Sequence, residues 1–202
     1  MNFPTFDDET DFLISGFKRT GDELHLEIEA ISDLESDRRI IHAHCDKLLQ
    51  YTIESTVGSG FELADRHPVL WEYQYDNASA FFRGVPKNLS AAVGAMAQAH
   101  MAAVDDWFGF TKYLNVDMSL KALLESGSGL LAQGPIPLLE VYAHALAECG
   151  IEVQIISPYP PGGRLGDPDL RARLLTESKV LLVGSSYVVG MGWDFTNGQP
   201  SG

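Results

Sequence analysis

Residues 23 to 29 read Glu-Leu-His-Leu-Glu-Ile-Glu, so that Leu24, Leu26 and Ile28 alternate strictly with Glu23, His25, Glu27 and Glu29. A repeat of two belongs to a β-strand with one buried and one wet face, and no helix accommodates it. The runs at 12 to 19 and 38 to 46 have matching apolar content and are joined to this strand by the turn Thr20-Gly21-Asp22 and the polar loop 32 to 37. Together they predict an antiparallel meander. Further strands are expected at 51 to 56, 70 to 75 and 78 to 83, with Asp76-Asn77 as the tight turn of a hairpin.

Beyond Pro86 the pattern changes. Asn88 is placed to cap a helix through SAAVGAMAQAHMAAVDDWF, on which Val93, Met96, Ala97, His100, Met101 and Val104 recur at spacings of three and four and are expected to lie on the sheet. A shorter helix is expected from Ser119 to Glu125, ended by the Ser-Gly-Ser-Gly run 126 to 129, after which Gly134-Pro135-Ile136-Pro137 should stop any regular element. The remainder reads helix (138 to 148, closed by Gly150), strand (151 to 156), helix (168 to 176) and strand (180 to 183), which suggests at least two parallel neighbours. The tail TNGQPSG is read as mobile. The expected fold class is therefore α+β: an N-terminal antiparallel β-meander packed by a long helix, followed by a small α/β layer. Regions 1–125 and 126–202 are its expected divisions, or one continuous domain, with 126 to 137 as the best boundary.

The run from Ala145 to Trp193, with ALAECGIEVQII followed by DPDLRARLLTESKVLLVGSSYVVGMGW, resembles the second half of a Toll/interleukin-receptor-type domain in its order of helix, strand, acidic loop and Ser-containing apolar strand. The resemblance covers about a quarter of the chain and implies βαβ order. The family's opening strand and the acidic residue that serves NAD cleavage in its enzymatic members have no counterpart here, so no activity is carried over.

Charge limits the classes of partner. The 202 residues hold 28 acids against 14 bases, and residues 1 to 65 alone hold 15 against 5. Phosphate backbones are bound by placing Lys and Arg against them, so nucleic acid is not an expected partner, whereas a basic protein is favoured electrostatically. The alternative is that the excess acid serves solubility alone. Four acids precede the first apolar run, unlike a secretory leader, and the longest apolar runs are far shorter than the roughly 20 residues of a membrane helix. A cytoplasmic location without membrane contact is expected. Cys45 and Cys149 show no CxxC spacing and read as reduced, partly buried thiols.

Four groups of residues are candidates for function. His25, Glu27, His42 and His44 share the wet face of adjacent strands and would converge on a metal if those strands form a simple hairpin; an ordinary polar sheet face is the alternative. Ser157, Arg164, Asp167, Ser185, Ser186 and Tyr187 lie in loops that would close the carboxyl ends of the C-terminal strands, where an anion or nucleotide could bind. Ser185-Ser186 is a candidate nucleophile by residue type, but VGSSYVVG lacks the GxSxG elbow. Trp71, Tyr73 and Tyr75 would share a strand face, either as core or, with Glu72 and Asp76 as acidic rim, as a partner-binding patch. No P-loop or GxGxxG fingerprint occurs and no cofactor is expected. The reading favoured is a non-catalytic acidic binding protein, such as a bacterial immunity protein or antitoxin-like inhibitor of a basic partner. The second reading is a small enzyme or anion-binding protein that uses the C-terminal loops.

Overall fold

The computed structural model describes residues 3–6, 9–32, 38–54, 56–115, 117–161 and 168–198. In chain order the elements are β1 (Thr10–Thr20), β2 (Glu23–Ser32), β3 (Arg39–Thr52), β4 (Gly58–Ser59), β5 (Phe61–Ala64), a 3-10 turn (Pro68–Leu70), α1 (Trp71–Gln74), β6 (Asn77–Arg83), α2 (Leu89–Val104), α3 (Leu120–Glu125), β7 (Ser128–Pro135), α4 (Ile136–Glu148), β8 (Glu152–Tyr159), α5 (Pro168–Glu177), β9 (Lys179–Val183) and β10 (Ser186–Gly198). The chain is of the α+β class, with antiparallel pairing throughout its two sheets.

Two compact units divide it: Met1–Leu70 with Glu177–Gly202, and Trp71–Thr176. The stretch 126 to 137, expected as a boundary, lies inside the second unit. It is occupied by β7 and the start of α4, because Gly134 and Pro135 sit in a paired strand, opposite Ala78 and Asn77.

The first unit is a seven-stranded sheet ordered β4-β1-β2-β3-β10-β9-β5. The meander β1-β2-β3 forms because Leu24, Leu26 and Ile28 all turn to one face, where they meet Phe12, Ile14, Ile41, Ala43 and Cys45. Leu24, Ile28 and Ile41 are essentially excluded from water. Each such side chain contributes about 1.5–3 kcal/mol by leaving solvent. β10 completes the sheet by pairing with β3 over most of its length, from Tyr187 opposite Thr52 to Gly198 opposite Ile40. The tail expected to be mobile is thus part of a strand as far as Gly198. Residues 51 to 56 do not start a new strand, since β3 runs on to Thr52.

β9 and β10 form a hairpin with Val183 opposite Ser186, and Gly184 at φ 56 supplies the left-handed backbone that the first position of a two-residue turn needs. This hairpin corrects the expected parallel arrangement: β8 and β9 belong to different sheets and each pairs antiparallel. The Toll/interleukin-receptor-like order of elements therefore does not build that family's parallel layer.

The second unit is a three-stranded sheet, β7-β6-β8, with α4 packed against it and α2 packed on α4. Asn88 caps α2 by accepting the N–H of Ala91 at 3.1 Å, and Ser119 caps α3 by accepting that of Ala122 at 3.2 Å. The buried stripe of α2 is Ala92, Met96, His100 and Val104, whereas Met101 is exposed, and within its unit α2 packs on α4 and α3. Residues 70 to 75 are helical, not extended. The 3-10 turn leads directly into α1, whose first carbonyl, on Trp71, accepts the N–H of Tyr75 at 3.0 Å. Asn77 consequently opens β6 instead of turning a hairpin, and its side-chain amide donates to the Glu72 carbonyl.

Candidate functional site

Strict alternation places the polar residues of β2 and β3 on the face opposite the core, and the ladder fixes which of them meet. His25 lies directly across from His44, and Glu27 from His42. A bulge in β1 between Ile14 and Gly16 brings Lys18 opposite His25 and Gly16 opposite Glu27, while β10 sets Asp194 opposite His44 and Thr196 opposite His42. Two rows therefore cross four strands: Lys18, His25, His44, Asp194; and Gly16, Glu27, His42, Thr196. A shallow concavity of about 270 Å³ opens on this face, lined in part by Lys18, His25, Glu27 and His42.

The two rows differ chemically. The His25 and His44 rings stack at 4.3 Å between centroids, 17° from parallel. Glu23 approaches the Nε2 of His25 at 4.0 Å, and Asp46 the Nδ1 of His44 at 3.5 Å. One ligand atom from each of Glu23, His25 and His44 lies within 4.8 Å of the others, the only such group of three among the described residues. In the other row Glu27 accepts the Ser15 hydroxyl at 3.2 Å. The sequence alone points to His25, Glu27, His42 and His44 but not to Glu23 or Asp46, although both stand two residues from a histidine and therefore share its face.

A second concavity lies in the other unit. α2 and α4 leave an open groove of about 880 Å³, whose lining includes Ala95, Ala99, Ala102 and Ala103 of α2, Glu140, His144 and Glu148 of α4, and Trp71. Its lining residues include two carboxylates and no Lys or Arg. Glu140, His144 and Glu148 follow one another at intervals of four along α4, and Nε2 of His144 lies 3.7 Å from Glu148. Glu148 occupies the last turn of that helix, where no basic residue offsets the partial negative charge of the terminal carbonyls. The signals for this groove were the alanines of α2 at intervals of four and the Glu-His-Glu stripe.

The predicted partner patch is broken up by its helical backbone. Trp71 lines the groove, but Glu72 is bound by Lys112 at 3.1 Å and Asp76 by Arg171 at 3.1 Å. Tyr73 is half-buried on the same turn of helix.

The residues expected at a C-terminal ligand site are placed as follows. Ser157 is exposed on β8 with φ 55, at an irregularity in its pairing with β6. Ser185, Ser186 and Tyr187 belong to the β9–β10 hairpin of the first unit; Arg164 and Asp167 lie outside the described residues. Ser186 is buried and clamps Glu54, accepting its N–H at 2.9 Å and donating to its carbonyl at 3.2 Å. Ser185 bonds Thr56, and the Tyr187 hydroxyl accepts the Gln50 amide at 2.6 Å. These groups are engaged in fastening the hairpin to the end of β3 and the segment after it. His100, the one buried histidine, is also fully engaged, between Tyr142 and the Phe108 carbonyl.

No helix of the described residues is long and apolar enough to cross a membrane. Set against protein-family models, curated proteins and solved structures, the chain matches none.

Proposed function

We propose that this is a non-catalytic acidic binding protein whose second unit receives an amphipathic helix of a basic protein partner in the groove between α2 and α4. The observation that carries the reading is the composition of that groove: alanines that let another backbone approach closely, a tryptophan, and two carboxylates with no Lys or Arg in the lining. Apolar side chains of the incoming helix would cover the alanines, and its Lys or Arg residues would meet Glu140 and Glu148. The net charge of −14 raises the encounter rate with any basic protein. An immunity protein or antitoxin-like inhibitor works in this manner, by occupying a basic partner without chemistry of its own. The small-enzyme reading has less support, since Ser186 and Tyr187 are committed to structural hydrogen bonds.

Affinity capture from native lysate at low and at high ionic strength tests the proposal, using the wild type, a Glu140→Lys/Glu148→Lys variant and a Glu125→Lys control. The expected result is a stoichiometric basic protein held at low salt, released at high salt, lost from the double reversal and retained by the control. A complex indifferent to the double reversal, or none at low salt, removes the groove as the reason for binding.

A further inference from the structure

We infer that the exposed face of the meander holds a divalent cation of the zinc class between Glu23, His25 and His44. His25 and His44 are supplied by neighbouring strands at directly opposed positions, so the ladder fixes their backbones relative to one another. Their donor atoms and that of Glu23 already lie within 4.8 Å of one another. A tetrahedral site with bonds of about 2.0–2.2 Å spaces its donors by roughly 3.3 Å. Closing that difference requires the His25 ring to turn out of its stack on His44, and the side chains of Glu23 and His25 are 55% and 52% exposed, which leaves them room to move.

His44 supplies the second, independent observation. Its Nδ1 lies 3.5 Å from the Asp46 carboxylate. A hydrogen held on that side leaves the lone pair on Nε2, and Nε2 is the one buried side-chain nitrogen or oxygen among the described residues with no hydrogen-bond partner. A carboxylate behind a histidine whose other nitrogen has no partner is the arrangement by which proteins orient and strengthen an imidazole ligand.

The field has the matching sign. Asp194 stands opposite His44 across β10, Asp46 lies beside it, and Lys18 is confined to the far side of His25. The first unit carries 17 acids against 7 bases, the second 11 against 7. Imidazole mixed with carboxylate selects Zn²⁺, Ni²⁺ or Cu²⁺ over Mg²⁺ and Ca²⁺, which prefer oxygen alone. Three protein ligands leave a fourth position for water. The neighbouring row does not share the property, because Glu27 is bonded to Ser15 and no third donor completes a group with His42.

The test is calorimetric titration of the untagged full chain with Zn²⁺, Ni²⁺ and Mg²⁺, repeated for His25→Gln, His44→Gln, Asp46→Asn, His42→Gln and His144→Gln, with thermal melting of each. One Zn²⁺ or Ni²⁺ per chain is expected, with no saturable Mg²⁺ uptake, and Zn²⁺ should raise the melting temperature of the wild type. His25→Gln and His44→Gln should each weaken binding at least tenfold, and Asp46→Asn by roughly 10–100-fold although it removes no ligand. His42→Gln and His144→Gln should bind as the wild type does. Should either glutamine variant at 25 or 44 fail to fold, Asp46→Asn gives the same reading from a 70% exposed side chain. No saturable binding up to millimolar metal overturns the inference. So does binding that survives the changes at 25 and 44, or that falls with His42→Gln or His144→Gln instead.

Discussion

The buried bond between His100 and Tyr142 makes a prediction whose sign runs against intuition. His100 is 1% exposed; its Nδ1 lies 2.8 Å from the Tyr142 hydroxyl and its Nε2 3.0 Å from the Phe108 carbonyl. A carbonyl only accepts, so Nε2 carries the hydrogen, Nδ1 carries the lone pair, and the Tyr142 hydroxyl donates to it. Tyr142→Phe strands Nδ1 and should cost about 1–3 kcal/mol, the penalty for a buried group left without its partner. His100→Leu strands two groups, the hydroxyl and the carbonyl, and should cost roughly twice as much. Combining the two changes leaves only the carbonyl stranded. The double variant should therefore be more stable than His100→Leu alone, by about 1–3 kcal/mol.

Urea unfolding followed by circular dichroism measures the cycle, and thermal melting reads it at about 2–4 °C per kcal/mol for a chain of this length. Burial pushes the Tyr142 hydroxyl far above the ordinary phenol value, so it remains a donor and the coupling should be equal at about pH 7 and about pH 9. If the two losses add to within about 0.5 kcal/mol, the hydrogen bond is not what stabilises this part of the core.

Three further outcomes follow from single residues. Gly190→Ala places a Cβ against Cys45 Sγ and 2.8 Å from the Lys47 carbonyl, so it should destabilise the chain by about 1–3 kcal/mol, part of which Cys45→Ala restores; equal stability on urea unfolding would contradict that packing. Burial pushes the Cys45 thiol up to about 11, whereas Cys149 is partly exposed, so iodoacetamide at neutral pH should modify Cys149 alone, and Cys45 only after unfolding, as read by peptide mass. Burial also lowers His67, against the opposing charge of Glu62, so just below the ordinary imidazole value of about 6.5 the unfolded chain binds the proton more readily than the folded one. Its contribution is complete above that value and is lost as pH falls through the lowered one. His67→Asn keeps an acceptor for the Val69 N–H and should flatten this limb of the urea-midpoint profile; an unchanged slope would assign the acid sensitivity to other groups.

Local periodicity carried the parts of this fold that depend on neighbours in sequence. The alternation in β2 announces a sheet with one wet face, and Asn88 and Ser119 announce two helix starts, because each signal is complete within a few residues. Pairings between distant segments left no such trace. β7 was hidden by its glycines and proline, which read as loop until Gly134 is seen to lie against the Tyr113 ring, where a side chain would not fit. β10 was hidden in the same way: Gly190 and Gly192 interrupt its apolar run because Cys45 and Asp46 of β3 leave no room for a Cβ at either position. Trp71 and Tyr73 alternate like strand residues, yet the preceding 3-10 turn carries the backbone into a helical turn.

The same distinction separates what was legible in the candidate sites. That His25 and His44 could meet required only a period of two and one hairpin, and both are local. The Asp194 beside His44 arrives on β10, about 150 residues after β3, by a pairing that no short-range rule anticipates. The groove of the second unit likewise joins α2 to α4 across the whole of α3 and β7. Long-range pairing therefore contributes to both places, though unequally. It adds Asp194 to an imidazole pair that the local strands already make, and it joins the alanine face of α2 to the glutamate-bearing face of α4 in one groove.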